Sequence, residues 1–266
     1  MDFIELAKIE DEFTQIAKTY EIFNEDTRLN RSQAARVEFL TTVHYIEQYL
    51  KPNDRILDIG AGAGEYSLYF ARNGYSVSAV ELADRNIQAF QKKLTAVDRV
   101  ELRQGNAIDL SFWSDAAFDV VLLFGPLYHL HREEDRQRCI AEAKRVCKTV
   151  GTLFFAFIAH DMVFFTELQN NPNYFRTGDY DHDTLRLHDF PFVFHTVDEC
   201  RHILRDGGIR IVREIASDGL SELMEDRINS LDAESYAQYL RYHLHTCEKP
   251  EMLGHSNHLL FVGKQS

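Results

Sequence analysis

The sequence predicts an α/β fold, a mostly parallel sheet covered on both faces and preceded by a helical segment. Three observations predict it. From Pro52 onward short apolar runs alternate with amphipathic stretches, a glycine-rich turn joins the first run to the first stretch, and a carboxylate ends the second run.

Residues 1–51 read as a helical cover, because Phe13, Ile16, Ala17 and Tyr20 recur at helical spacing, as do Val37, Leu40, Val43, Ile46 and Leu50. A polar link, Asn24 to Arg31, separates the two stretches. The domain proper is expected over 52–266. Its first strand is Arg55 to Ile59, followed by a helix over Glu65 to Asn73 and a second strand over Ser76 to Glu81. Asp84 is the expected cap of the next helix, whose buried stripe is Ile87, Phe90 and Leu94. Strands three and four fall at Arg99–Gln104 and Phe118–Phe124. A helix then turns Cys139, Ile140, Ala143, Val146 and Cys147 inward, and Gly151 opens a fifth strand over Thr152–Ala159.

Residues 160–195 carry aromatics, histidines and acids without a clear period, and are expected to be an insertion closing a pocket over the sheet. The insertion ends at Thr196-Val197-Asp198-Glu199, a capping box in which hydroxyl and carboxylate each satisfy a free amide. Gly207-Gly208 stops that helix. A sixth strand (Ile209–Ala216), a helix (Asp232–Cys247) and a seventh strand (His258–Val262) follow, giving seven strands.

The 266 residues suit one large domain or two small ones. With 29 basic and 42 acidic side chains the charge is −13, which opposes binding to nucleic acid or anionic lipid. No apolar run approaches the ~20 residues of a membrane span, and the start lacks a secretory signal, so a cytoplasmic location is expected. Four scattered cysteines read as buried thiols. The histidines and acids of Asp181-His182-Asp183, His188 and Asp189 read as a solvated loop, and no metal is expected.

The chemistry starts at Leu57-Asp58-Ile59-Gly60-Ala61-Gly62-Ala63-Gly64, where a strand runs through alternate glycines into a helix at the edge where open α/β sheets bind ligands. A dinucleotide turn would need a third glycine at position 65, which is Glu65. That carboxylate and Asp58 both disfavour a pyrophosphate and suit a ligand bearing an ammonium group. Glu81, 21 residues after Gly60, is placed to accept from both hydroxyls of a ribose.

These residues resemble the first motif of the class I S-adenosylmethionine-dependent methyltransferases, and Gly105-Asn106-Ala107 is similar to that family's adenine-side motif, which usually reads Asp-Ala. The resemblance is strong over about 52–159. It implies S-adenosylmethionine as cofactor, with Asp58 and Gly60 at the methionine ammonium, Gly62 and Gly64 giving room, Glu81 at the ribose, and Asn106 and Ala107 at the adenine. Ala61, Leu82, Leu123 and Phe124 are implied as further cofactor neighbours, and Tyr20, Arg28 and Arg31 of the helical cover near the methionine end. The fourth strand ends in Phe124-Gly125-Pro126-Leu127-Tyr128-His129 and departs from the base-methylating Asn-Pro-Pro-Tyr pattern, since Gly125 offers no side-chain acceptor.

A small-molecule acceptor methylated on O, N or S is therefore expected. The rivals are methylation of protein or RNA, an S-adenosylmethionine-binding protein without turnover, and, last, an NAD-dependent oxidoreductase. His129 and His195 are the candidate bases. The acceptor and the oligomeric state stay open.

Overall fold

A computed structural model describes residues 2–266. The helical cover consists of α1 (Phe3–Leu6), α2 (Glu12–Ile22) and α3 (Gln33–Glu47), each started by a side chain (Asp2, Asp11, Ser32) that accepts from an amide of the first turn. The alternating part follows as β1 (Arg55–Ile59), α4 (Glu65–Arg72), β2 (Ser76–Glu81), α5 (Asp84–Lys93), β3 (Val100–Gln104), β4 (Phe118–Leu123), α6 (Glu133–Val146) and β5 (Cys147–Ala159). The insertion holds α7 (His160–Asn170), α8 (Tyr174–Thr177) and the two-residue strands β6 (Tyr180–Asp181), β7 (Arg186–Leu187) and β8 (Phe194–His195). The remainder is α9 (Val197–Asp206), β9 (Ile209–Ala216), α10 (Glu225–Asn229), α11 (Ala233–Thr246), α12 (Pro250–Leu253) and β10 (His258–Gln265).

The main sheet runs β3-β2-β1-β4-β5-β10-β9. β1 to β5 are parallel to one another, whereas β10 is antiparallel to both β5 and β9. Central strands covered on both faces read as continuous apolar runs, and Ile56, Leu57, Ile59 and Val120 to Leu123 are all fully buried. Reversal of β10 has a consequence for the site. Its first residue, His258, lies opposite Ile158 at the end of β5, on the edge that carries the glycine loop.

The expected α/β architecture is present, with four differences of detail. The sheet has eight strands, because β5 outruns β4 and its free edge at Ile158–Ala159 is taken by Phe194–His195. β5 starts at Cys147 rather than Thr152, so Cys147 belongs to the strand and not to the helix. Gly151 lies inside that strand, where a Cβ would meet Cys147 Sγ at 2.5 Å. Asp84 does not cap α5; Ala83 takes that place without a side-chain bond, and Asp84 accepts from Gln104 at 2.6 Å. The insertion is ordered by α7 and by a small apolar cluster of its own, Phe164, Tyr174, Tyr180 and Leu187.

The Thr196–Glu199 capping box forms in both directions. All four cysteines are buried and free. No described helix is long and apolar enough to cross a membrane.

Candidate active site

The glycine loop leaves β1 in left-handed conformations at Gly60, Gly62 and Gly64. At Gly60 a Cβ would lie 2.5 Å from the Phe124 carbonyl, so this turn can pass under β4 only as glycine. Gly64 serves packing instead, since the Phe90 ring fills the space its side chain would need. The Gly62 amide donates to Glu81 Oε2 at 2.8 Å, and Ala83 N donates to Oε1 at 2.8 Å. Glu81 thus fixes the loop while its remaining lone pairs face the cavity that Gly60, Leu82, Asn106 and Ala107 also line. Burial raises its pKa, and the loop amides pull it back.

Asp58 is buried at the end of β1 with one partner, the Ser67 hydroxyl, at 2.7 Å from Oδ2. Its Oδ1 is buried and unpartnered. Burial, with the Glu81 charge adding and the Ser67 hydrogen bond opposing, pushes this carboxyl up to about 7. A carboxylate held dry with an open lone pair is an acceptor awaiting a cation. The ammonium group inferred from the sequence matches it.

Two narrow cavities meet at the loop. One runs from Glu81, Leu82, Gly105, Asn106 and Ala107 to Gly125, Pro126 and His129, roofed by Phe13, Ile16 and Tyr20 of α2. The other runs from Asp58 along Gly60 to Ala63 to Phe124 and Tyr128, bounded by Glu25, Arg28 and Leu29. Ala61 and Phe124 therefore line the loop cavity, whereas Leu123 is fully buried in the sheet and lines neither. Asn106 Oδ1 accepts from Ile108 N at 3.2 Å and keeps a second lone pair for the cavity.

The helical cover reaches the site through Tyr20 and Arg28. Arg28 lines the loop cavity, but its guanidinium is held by Glu25 (2.9 Å) and Glu38 (2.6 Å). Arg31 pairs with Glu225 at 3.4 Å and does not line the loop cavity. Glu65 is not the bare charge the sequence suggests, because Lys93 pairs with it at 2.5 Å and Asn30 donates to it. The charge argument against a pyrophosphate therefore narrows to Asp58.

The two candidate histidines part company. His129 lies in the first cavity, 2.8 Å from the Tyr20 hydroxyl through Nε2, with Nδ1 buried and unpartnered. Burial and the nearby His131 push it down to about 3, so it is neutral. His195, in β8, packs edge-on against Phe157 and opens on a separate surface pocket with Arg136 and Glu199 that shares no residue with the loop cavities. Burial and Arg136 hold it near 4. Asp181, His182 and His188 do not converge: Asp181 accepts from the amides of Asp183 and Thr184, His182 stacks on Tyr180, and His188 pairs with Asp179.

Beyond the loop lies a larger chamber of about 440 Å³, walled by Tyr20, Phe23, Tyr128, Ile158 and Phe192, with Arg28, Arg31 and His258 on its rim. It shares Tyr20, Glu25, Arg28 and Tyr128 with the loop cavity. Phe192 is the insertion's contribution, and it also packs on Phe23, Tyr128 and His129.

His258 was not singled out from the sequence. Its Nδ1 lies 2.7 Å from Asp218 Oδ2 and 3.5 Å from Glu38 Oε2. Burial opposes its charge, but Glu38 and Asp218 outweigh that and raise it to about 9. The ligand-type atoms of Glu38, Asp218 and His258 lie within 4.8 Å of one another, yet Arg28 and the imidazolium already neutralise the two carboxylates. The available signal was topological: polar residues at 217–218, just after β9, and at 256–258, at the start of β10, fall at the edge the glycine loop shares.

Residues 57–155 match a family model described as a methyltransferase domain. Over 110 residues the chain is 34% identical to 27-O-demethylrifamycin SV methyltransferase of Amycolatopsis mediterranei, covering 39% of this chain and 38% of that protein. Over 146 residues it is 30% identical to a ubiquinone/menaquinone biosynthesis C-methyltransferase of Xanthomonas oryzae pv. oryzae, covering 52% and 54%. The chain thus spans about half or less of the length of these curated relatives. Among solved structures, a protein of Pyrococcus horikoshii superposes with a TM-score of 0.60 at 17% identity, over 94% of this chain and 99% of that one. A 1,6-didemethyltoxoflavin N1-methyltransferase of Burkholderia thailandensis does so with 0.55 at 16%, over 100% and 91%. Over residues 57–155 the chain is thus similar to a methyltransferase domain, and it shares its fold with S-adenosylmethionine-dependent methyltransferases of known structure.

Proposed function

We propose that the protein transfers a methyl group from S-adenosylmethionine to a small molecule seated in the chamber beside the glycine loop. One observation carries this reading: a largely apolar space of about 440 Å³, with four aromatic rings in its wall, shares four residues with the loop cavity, so an acceptor there would border the cofactor's methionine end. Asp58 would take the ammonium group, Glu81 the ribose, and Asn106 with Ala107 the adenine. Tyr20 and His129 would close the slot from above. Of the sequence-derived candidates, Arg31 and His195 stand outside the two loop cavities and Leu123 is enclosed in the sheet.

The bound cofactor supplies an already activated methyl, so the protein's task is alignment and exclusion of water. The aromatic walls do the second, and the fixed β4 turn at Gly125–Tyr128 sets the first. The acidic charge supports a small acceptor over RNA. The relatives are named for a rifamycin, for quinones and for a toxoflavin precursor, which supports the same class.

The experiment is incubation with methyl-labelled S-adenosylmethionine and a cell extract, followed by separation of metabolites from macromolecules. Label is expected among metabolites. Label in protein or RNA replaces this reading with the macromolecular one. Cofactor binding with no label anywhere replaces it with a binding function.

A further inference from the structure

We propose that His258, clamped by Asp218, is the general base of the transfer, and that the acceptor is a planar apolar molecule carrying an acidic hydroxyl, a phenol or enol. The inference rests on the proposed methyl transfer and adds the atom methylated and the group that receives its proton.

The geometry comes first. His258 Nδ1 is taken by Asp218 at 2.7 Å, and Asp218 is itself fixed, its Oδ1 accepting from the Ser256 hydroxyl and from His258 N at 3.2 Å. The imidazole is thereby oriented, and part of its ring, 23% accessible, borders the chamber. A base held by a buried carboxylate with its other side on an acceptor-sized space is the arrangement in which an imidazole removes a proton.

The chamber's charge selects among acceptors. Its own lining has three cationic side chains, Arg28, Arg31 and His258, against one carboxylate, Glu25. The other carboxylates, Glu38, Asp218, Glu222 and Glu225, line a smaller cavity behind them. Each of the three cations is already paired, Arg28 with Glu25 and Glu38, Arg31 with Glu225 and His258 with Asp218, so the wall offers no free charge and suits a neutral acceptor better than an ammonium or an oxyanion.

Basicity narrows the class again. Glu38, Asp218 and Glu222 on one side, and Arg28 on the other, are the charges that face His258, and their balance leaves it with a pKa of about 9. Such a base takes a proton from a phenol, near 10, at little cost, and not from an aliphatic alcohol, near the ~15.7 of water. In the step, the acceptor O–H proton passes to Nε2 of His258. The oxygen's electron pair forms the new C–O bond, and the methyl–sulfur pair leaves with sulfur. The imidazolium then returns its proton to solvent.

The test uses the full chain, His258→Gln and Asp218→Asn, methyl-labelled S-adenosylmethionine and a deproteinised cell extract. Calorimetry with S-adenosylhomocysteine reports folding and cofactor binding. The parent is expected to give a labelled aryl or enol ether at a rate that rises with pH to about 9. His258→Gln should bind S-adenosylhomocysteine like the parent and transfer at least 100-fold more slowly, with the pH dependence lost. Asp218→Asn should keep some transfer and move the His258 imidazole titration seen by NMR down towards 6.5. Equal rates for parent and His258→Gln overturn the base, and a labelled amine or thioether overturns the acceptor class. If the parent binds S-adenosylhomocysteine and labels nothing, the transfer reading fails, and this one with it.

Discussion

Asp58 and Asp218 are both buried carboxylates near the ligand-binding edge of one sheet, and they are shifted in opposite directions. Asp58 has one hydroxyl for company and an oxygen without a partner, and it is pushed up to about 7. Asp218 is opposed by the same burial, but the His258 charge and the bonds from His258 and Ser256 bring it below its ordinary value. What separates them is whether the chain supplies the cation. Around Asp58, in the proposed cofactor half, it supplies none, and the charged carboxylate is disfavoured there. Around Asp218, in the proposed acceptor half, it supplies His258.

The largest expected effect is on Asp218. Removing one member of a buried ion pair costs about 3–5 kcal/mol when the other is left alone, and Asp218→Ala, which leaves His258 with Glu38 at 3.5 Å, should lower the urea midpoint by an amount approaching that. A loss no larger than that of a surface substitution would erase the contrast.

Asp58→Asn should act with the opposite sign on stability. A carboxyl whose folded pKa exceeds its unfolded one weakens the fold as pH rises from 3.8 through about 7. At pH 8 the substitution should therefore raise the stability of the ligand-free protein by roughly 2–4 kcal/mol. It should also weaken S-adenosylhomocysteine binding by about 1–3 kcal/mol, and Glu81→Ala should weaken it similarly. Two variants that bind like the parent in calorimetry would remove the cofactor site from this loop.

A pH titration of stability sharpens the comparison further. His258 has a raised folded pKa, so its contribution is complete below about 6.5 and is lost as pH passes 9, on the order of 2–3 kcal/mol. Thermal scans from pH 6 to 10 should show this decline in the parent and a flatter course in His258→Gln. The smallest effect belongs to Ser67→Ala, about 1 kcal/mol, with the pH below which S-adenosylhomocysteine affinity fails moving upward. An unmoved midpoint would mean that Ser67 does not hold Asp58.

Much of this was readable from the chain. Strand boundaries up to β4, the glycine loop, the acid ending β2 and the Thr196 cap are local signals, written within a few residues of where they act. That His195 opens on a pocket apart from the loop was not legible, because a histidine beside a capping box carries no information about which pocket it faces. Glu65 was read as an open charge because its partner Lys93 is 28 residues away on another helix. His258 was invisible for the same reason at larger scale: Glu38, Asp218 and His258 come from α3, from the loop after β9 and from the first residue of β10. Only the reversed direction of β10, which periodicity does not encode, brings the last of them to the shared edge.

That reversal also sets an order of assembly. β9 has no partner in the sheet except β10, which is inserted between it and β5. While the chain emerges from a ribosome, Ile209–Ala216 must wait beside an open sheet edge until His258–Gln265 has been made, about 40 residues and several seconds later at ordinary synthesis rates. The part of the sheet that carries the glycine loop can settle during that interval; the part that carries His258 is finished by the strand that arrives last.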